Sequence, residues 1–167
     1  QEVHWSSLNL TIAHSNSDRQ SQDTDWAYWL PIWKAESGIN PNVLVFYFSS
    51  PWDLSRYYSL EWNCQRLRSS IESIRNAFNG TLLMLSAWPS SAWRKPNQWK
   101  HSGSFVVVKM YRECARQSAQ ELGIPVFDMY DMGVSQLQLV MDGVHYSMRD
   151  ARGFASVLMH NLCTMLS

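Results

Sequence analysis

The sequence predicts an α/β domain, a three-layer sandwich built on a mainly parallel sheet, and three observations predict it. Two short apolar runs, Val43–Phe48 and Thr81–Leu85, show no polar alternation and read as strands covered on both faces. Between and after them lie stretches whose apolar residues recur at three- and four-residue steps, the signature of amphipathic helices. The resulting order of strand, long loop, strand, helix, strand, helix, strand and helix calls for parallel pairing through right-handed crossovers.

Taken in order, Val3–Ile12 reads as a first strand, and the chain then runs polar from His14 to Asp25. Trp26, Trp29 and Trp33 step by three and four residues, as in a helical turn packing onto a core. Val43–Phe48, bracketed by Pro41 and Pro51, is too short for a helix and rich in β-formers, so it reads as a central strand. Leu60, Cys64, Leu67, Ile71, Ile74 and Phe78 share one helical face, with Glu61 in the first turn and Gly80 just past the end. After the strand at Thr81–Ser86, a loop rich in Trp and Pro runs from Ala87 to about Gly103. The next helix carries Val108, Tyr111, Ala115, Ser118 or Ala119, and Leu122 on one face and is stopped by Gly123 and Pro125. Val126–Asp128 is a short strand, followed by a loop from Met129 to His145. Ser147 with Asp150 three residues on forms a capping box for a last helix with the face Ala151, Phe154, Ala155, Leu158, Leu162 and Met165.

The bulk composition narrows the function. A chain of 167 residues suits one domain, 1–167, that needs neither cofactor nor staple for its stability. Fourteen basic and fourteen acidic side chains cancel without any run of like charge, which argues against nucleic acid or an anionic membrane as partner. The apolar runs are strand-sized, so no membrane span is expected. Cys64, Cys114 and Cys163 lack both C-x-x-C and zinc-ligand spacing and fall inside predicted helices, so they read as buried thiols. Their odd number leaves room for one to pair with a segment outside this chain. Two sequons, Asn9-Leu10-Thr11 and Asn79-Gly80-Thr81, tilt the expected location towards a secreted or secretory-lumen protein.

Sheets of this kind carry their sites at the carboxyl ends of the strands. Three predicted loops leave those ends: Ser49–Asp53, Ala87–Gly103 and Met129–His145. The last contains Asp142-Gly143-Val144-His145, in which a carboxylate three residues before an imidazole, across a Gly that permits a tight turn, can hold that imidazole as the base of a nucleophilic triad. Trp88, Trp93 and Trp99 share a loop with Arg94, Lys95 and Lys100, an arrangement equally suited to stacking on sugar and to anchoring a long loop. Asp128 and Asp131 flank Tyr130 and read as turn caps rather than as metal ligands. His4, His14, His101 and His160 have no partners at ligand spacing. No metal site and no cofactor is expected.

Two segments carry a family resemblance. Asn42–Tyr57, a hydrophobic strand running into Trp52-Asp53-Leu54-Ser55-Arg56-Tyr57, and Asp142-Gly143-Val144-His145-Tyr146 resemble the SGNH (GDSL-type) hydrolases, and more closely their PC-esterase-like branch. The likeness covers about residues 42 to 166. It implies a flavodoxin-like sheet and an esterase or O-acyltransferase acting on an acylated, carbohydrate-type substrate. His145 would be the general base, Asp142 its orienting partner, and Ser50, Trp52, Asp53 and Trp88 the substrate pocket.

The chain departs from the family in two places. The Asn of a Gly-x-Asn block is absent near Ser50–Asp53, and no Gly-Asp-Ser occurs anywhere. Ser15, at the end of Leu10–Ser15, is the nearest mimic of the nucleophile, but the gap from it to Val43 is too short for the intervening strand and helix. The better fit makes Val3–Ile12 the family's second strand and puts the first, nucleophile-bearing strand upstream of Gln1 or on another chain that completes the sheet. The alternative is an inactive SGNH-like binding or structural domain of an extracellular assembly.

Overall fold

The computed structural model describes residues 2–5, 10–13, 26–47, 59–89, 91, 105–140 and 145–166. In chain order the elements are β1 (Glu2–Trp5), β2 (Leu10–Ala13), α1 (Trp26–Ser37), β3 (Val43–Tyr47), α2 (Leu60–Ala77), β4 (Thr81–Leu85), α3 (Phe105–Glu121), β5 (Val126–Phe127), α4 (Met129–Val134), a 3-10 turn (Leu137–Leu139) and α5 (Met148–Leu166). The fold is α/β, with a three-stranded parallel sheet flanked by helices.

The sheet order is β3-β4-β5. Val43 aligns with Thr81 and Tyr47 with Leu85, while Met84 and Leu85 align with Val126 and Phe127. Among the described residues β4 is the strand with a neighbour on each side, not β3 as its unbroken apolar run predicted. Burial follows that placement. Leu82, Leu83 and Met84 are all buried, whereas Val43, Leu44 and Val45 are only half-buried. Leu82 and Met84 face the helical core, and Leu83, pointing to the opposite side by strand alternation, is buried there as well.

The core forms where α1, α2 and α3 pack against one face of the sheet. Helix α2 starts at Ser59, whose hydroxyl accepts from the Trp62 N–H at 3.1 Å, and it buries Leu67, Ile71 and Ile74, with Phe78 just past its end. Burial of each such side chain stabilises the fold by about 2 kcal/mol. Helix α3 meets them with Val108, Tyr111, Ala115 and Ala119 and ends where Gly123 takes φ +66° and Ile124 donates back to the Ala119 carbonyl. Helix α1 adds Leu30, flanked by Trp26 and Trp33, so the tryptophan spacing does mark a helix on the core. None of the described helices is long and apolar enough to cross a membrane.

Four expectations are corrected. Val3–Ile12 is not one strand of the sheet: β1 and β2 pair antiparallel, Glu2 with Ala13 and Trp5 with Leu10, as a separate hairpin. Local pairing across the short 6–9 connection needs little loop-closure entropy, and nothing in the alternation of this stretch announces the break. The segment Met129–His145 is not all loop, because Asp128 accepts from the Tyr130 and Asp131 N–H groups and so starts α4. On α5 the capping pair is present, with Asp150 N–H donating to the Ser147 hydroxyl, but Ala151 and Ala155 are exposed, Leu158 and Leu162 half-buried, and Phe154 is the one buried residue among the described side chains of that face.

The fourth concerns the cysteines. Cys64 on α2 and Cys114 on α3 form a disulfide with a Cα separation of 5.5 Å, and Cys163 is an exposed thiol. Their pairing comes from the face-to-face packing of two helices that are 50 residues apart in sequence, which spacing alone does not encode.

Candidate active site

The site region is built from the ends of β4 and β5. Past β4 the chain continues through buried Ser86 and Ala87 to half-buried Trp88 and fully buried Pro89. The Ser86 N–H donates to the Phe127 carbonyl at 3.0 Å, and the Ser86 hydroxyl donates to Asp128 Oδ1 at 3.0 Å while accepting from the Tyr130 N–H at 3.1 Å. One serine thereby locks the two strand ends together and fixes the start of α4.

A cation completes this clamp. Arg112, on α3 and almost covered, donates from Nε to Asp128 at 3.1 Å, pairs with Asp128 again through its terminal nitrogen, reaches Asp131 at 3.1 Å, and lies over the Tyr130 ring. Burial works against charge on Asp128, but the hydrogen bonds from Arg112 and Ser86 outweigh it, and the carboxyl stays below the usual carboxylate value. The Tyr130 hydroxyl donates to the Phe105 carbonyl at 3.2 Å. Asp128 thus serves as the cap that its position predicted, while Asp131 lies inside α4 and pairs with Arg112 instead of capping; Arg112 and Ser86 are the members that sequence reading missed. Arg112 lies on α3, and only tertiary packing brings it to Asp128.

Against this clamp rests an aromatic plug. The Trp88 ring is 5.3 Å from that of Tyr146 and 4.5 Å, edge to face, from that of Phe154, and Tyr146 and Phe154 are themselves 5.3 Å apart. The Tyr146 hydroxyl donates to the Gly133 carbonyl at 2.9 Å, and burial pushes its pKa up to about 12. Gly133 is required there, since a Cβ would lie 2.6 Å from Pro89 and 2.9 Å from the Tyr146 hydroxyl.

His145 immediately precedes this anchor and is exposed, and Ser147 immediately after it caps α5. Because Trp88 stands three residues past the carboxyl end of β4, the contact between Trp88 and Tyr146 sets His145 beside that edge of the sheet. Of the predicted site residues, the structure therefore brings together Trp88 and the segment bearing His145. Trp88 is a packing partner of Tyr146 and Phe154, the role of a loop anchor. Asp142, Ser50, Trp52 and Asp53 lie outside the described residues, as do Ser15, Trp93 and Trp99. A separate open groove of about 820 Å³, lined by Lys34, Asn42, Arg75 and Asn79 among others, lies at the opposite, amino end of the strands.

Solved structures share this architecture. A lipase/acylhydrolase from Enterococcus faecalis matches with a TM-score of 0.61 at 17% identity, over 84% of this chain and 71% of that one. LAE5, an alpha/beta hydrolase enzyme from the metagenome of Lake Arreo, Spain, matches with a TM-score of 0.57 at 15% identity, over 84% of this chain and 68% of that one. The fold resembles that of an acylhydrolase. At these identities the likeness is one of fold, and the chemistry of this chain rests on its own residues. No protein-family model and no curated protein sequence matches the chain.

Proposed function

We propose that this domain is an SGNH-type serine esterase or O-acyltransferase of the PC-esterase kind, with an O-acylated, carbohydrate-type substrate. The observation that carries the reading is the position of His145: exposed, next to the carboxyl edge of a parallel sheet of acylhydrolase-like fold, and shortly before the start of α5. An imidazole at that edge is suited to serve as a general base. Asp142, three residues upstream, orients it and stabilises the imidazolium.

In the proposed reaction a serine oxygen forms a bond to the acyl carbonyl carbon while His145 takes the hydroxyl proton. The tetrahedral intermediate collapses, the ester C–O bond breaks, and His145 returns the proton to the leaving alkoxide. Water or another hydroxyl then takes the acyl group by the same steps in reverse. The serine comes from a segment or chain that completes the sheet beside β3. Ser50, Trp52 and Asp53 line the substrate, and Trp88 forms the apolar wall behind the base. The Cys64–Cys114 disulfide supports a secreted or lumenal location, where such bonds persist.

The test is labelling with a fluorophosphonate probe of protein isolated from its native source, so that any completing segment or chain stays in place. One serine is expected to label, and labelling is expected to fall at least a hundredfold in His145→Ala. Undiminished labelling in His145→Ala removes the base. No labelling at all in the isolated assembly leaves an inactive binding or structural domain.

A further inference from the structure

The turn between α2 and β4 carries a feature that the hydrolase reading does not use. Helix α2 stops at Ala77, the Phe78 N–H donates to the Ile74 carbonyl, Asn79 and Gly80 make the bend, and Thr81 opens β4. Packing dictates the middle residue of Asn79-Gly80-Thr81. A Cβ on Gly80 would lie 2.5 Å from the Asn42 carbonyl oxygen and 2.7 Å from the Phe78 ring. The two outer residues are in the opposite situation. The Thr81 N–H bonds the Asn42 carbonyl at 2.9 Å, a backbone contact that does not depend on its side chain, and the Asn79 and Thr81 side chains are exposed with no hydrogen bond among the described residues.

The fold therefore needs Gly80 but not the amide and hydroxyl that make the tripeptide an N-glycosylation acceptor. A second, independent feature points to the same modification. The Cys64–Cys114 disulfide belongs to an oxidising compartment, and that is where such acceptors meet their transferase.

We propose that Asn79 is an N-glycosylation site of this protein. The Asn79 side-chain nitrogen forms a bond to the anomeric carbon of the reducing-end sugar of a polyprenyl-diphosphate-linked oligosaccharide. The C–O bond to the diphosphate breaks, the diphosphate leaves on its lipid, and one amide proton passes to solvent. The Thr81 hydroxyl is the group by which the transferase recognises the acceptor. The five residues of β4 separate this turn from the carboxyl edge by roughly 16 Å, so the glycan leaves the His145 side open. Beside it, the polar groove wall of Lys34, Asn40, Asn42 and Arg75 offers donors along which the first sugars can lie. This inference shares the oxidising-compartment reading with the proposed function and is independent of the hydrolase chemistry.

The test directs the whole chain into the secretory pathway of cultured animal cells. It reads the secreted protein by non-reducing alkylation for the disulfide and by peptide mass after enzymatic deglycosylation for the glycan. The Asn79 peptide is expected to read as Asp at that position, to be bare in both Asn79→Gln and Thr81→Ala, and to keep its glycan in Thr81→Ser. A secreted, disulfide-bonded chain with Asn79 unmodified overturns the site. A glycan found on Asn9 of the wild-type chain with the Asn79 peptide bare does so as well by placing the sugar elsewhere. A chain whose Cys64 and Cys114 stay reduced, with Asn79 bare, overturns the compartment reading and the site together.

Discussion

The Tyr146 hydroxyl donates to the Gly133 carbonyl at 2.9 Å, which ties the residue following His145 to helix α4. Tyr146→Phe keeps the ring contacts with Trp88 and Phe154 and removes only this bond, so it is expected to cost about 1 kcal/mol in urea unfolding at pH 7. The pH dependence adds a sign. The folded pKa of Tyr146, about 12, lies above the ordinary tyrosine value near 10, so its stabilisation is complete below pH 10 and is lost as pH rises towards 12. The difference between wild type and Tyr146→Phe should therefore be constant from pH 7 to 9 and shrink above 10. A gap that holds unchanged to pH 12 would contradict the burial of this hydroxyl.

Gly133 supports the same anchor from the other side. In Gly133→Ala the new methyl meets Pro89 at 2.6 Å and the Tyr146 hydroxyl at 2.9 Å, and the first of these is a ring fixed in the core that cannot swing away. Overpacking of this kind costs about 1–3 kcal/mol. Because the strain is relieved most easily by displacing Tyr146, fluorophosphonate labelling that depends on His145 should fall even under conditions where circular dichroism shows the variant fully folded. A folded variant with unchanged labelling would show that the Tyr146 anchor does not position His145 for the proposed chemistry.

How much of this was legible in the sequence depends on the range of the interaction. The face of α2 through Leu67, Ile71 and Ile74, and that of α3 through Val108, Tyr111 and Ala115, are local periodicities, and the structure buries both. The split of Val3–Ile12 into a hairpin is a local pairing that its alternation does not mark, the start of α4 rests on an Asp128 cap that reads equally well as a turn, and the half-exposed face of α5 depends on what packs nearby, which no window of sequence contains. In the site region, the position of His145 ahead of a capped helix could be read from Ser147 and Asp150. The Arg112–Asp128–Ser86 clamp could not, because its three members lie on separate elements that only the tertiary fold joins.

Loss of the disulfide should be costly. Cys64 and Cys114 close a loop of about 50 residues between two helices that form much of the core, and chain-entropy arguments place such a bond at roughly 2–4 kcal/mol. The exposed Arg68–Glu121 ion pair joining the same helices is too solvated to compensate. Cys64→Ser/Cys114→Ser is expected to melt well below wild type without reductant, and to melt with it when wild type is fully reduced. Equal melting temperatures under non-reducing conditions would show that the two cysteines are not bonded.

The charge on Asp128 can be separated from its other duties because Asn is as good a helix cap as Asp. Asp128→Asn retains acceptors for the Tyr130 and Asp131 N–H groups and for Ser86, but leaves the nearly covered Arg112 without its main anion. That should cost about 1–3 kcal/mol at neutral pH. Since the folded carboxyl lies below the ordinary value near 4, the contribution is fully present above that value and disappears as pH falls through the lower folded pKa. Urea midpoints measured from pH 7 downward should therefore differ between wild type and Asp128→Asn above pH 4 and converge as acid protonates Asp128. If the two curves run parallel into acid, Arg112 is satisfied through Asp131 and Glu113, to which it also bonds, and the clamp does not depend on Asp128 for its charge.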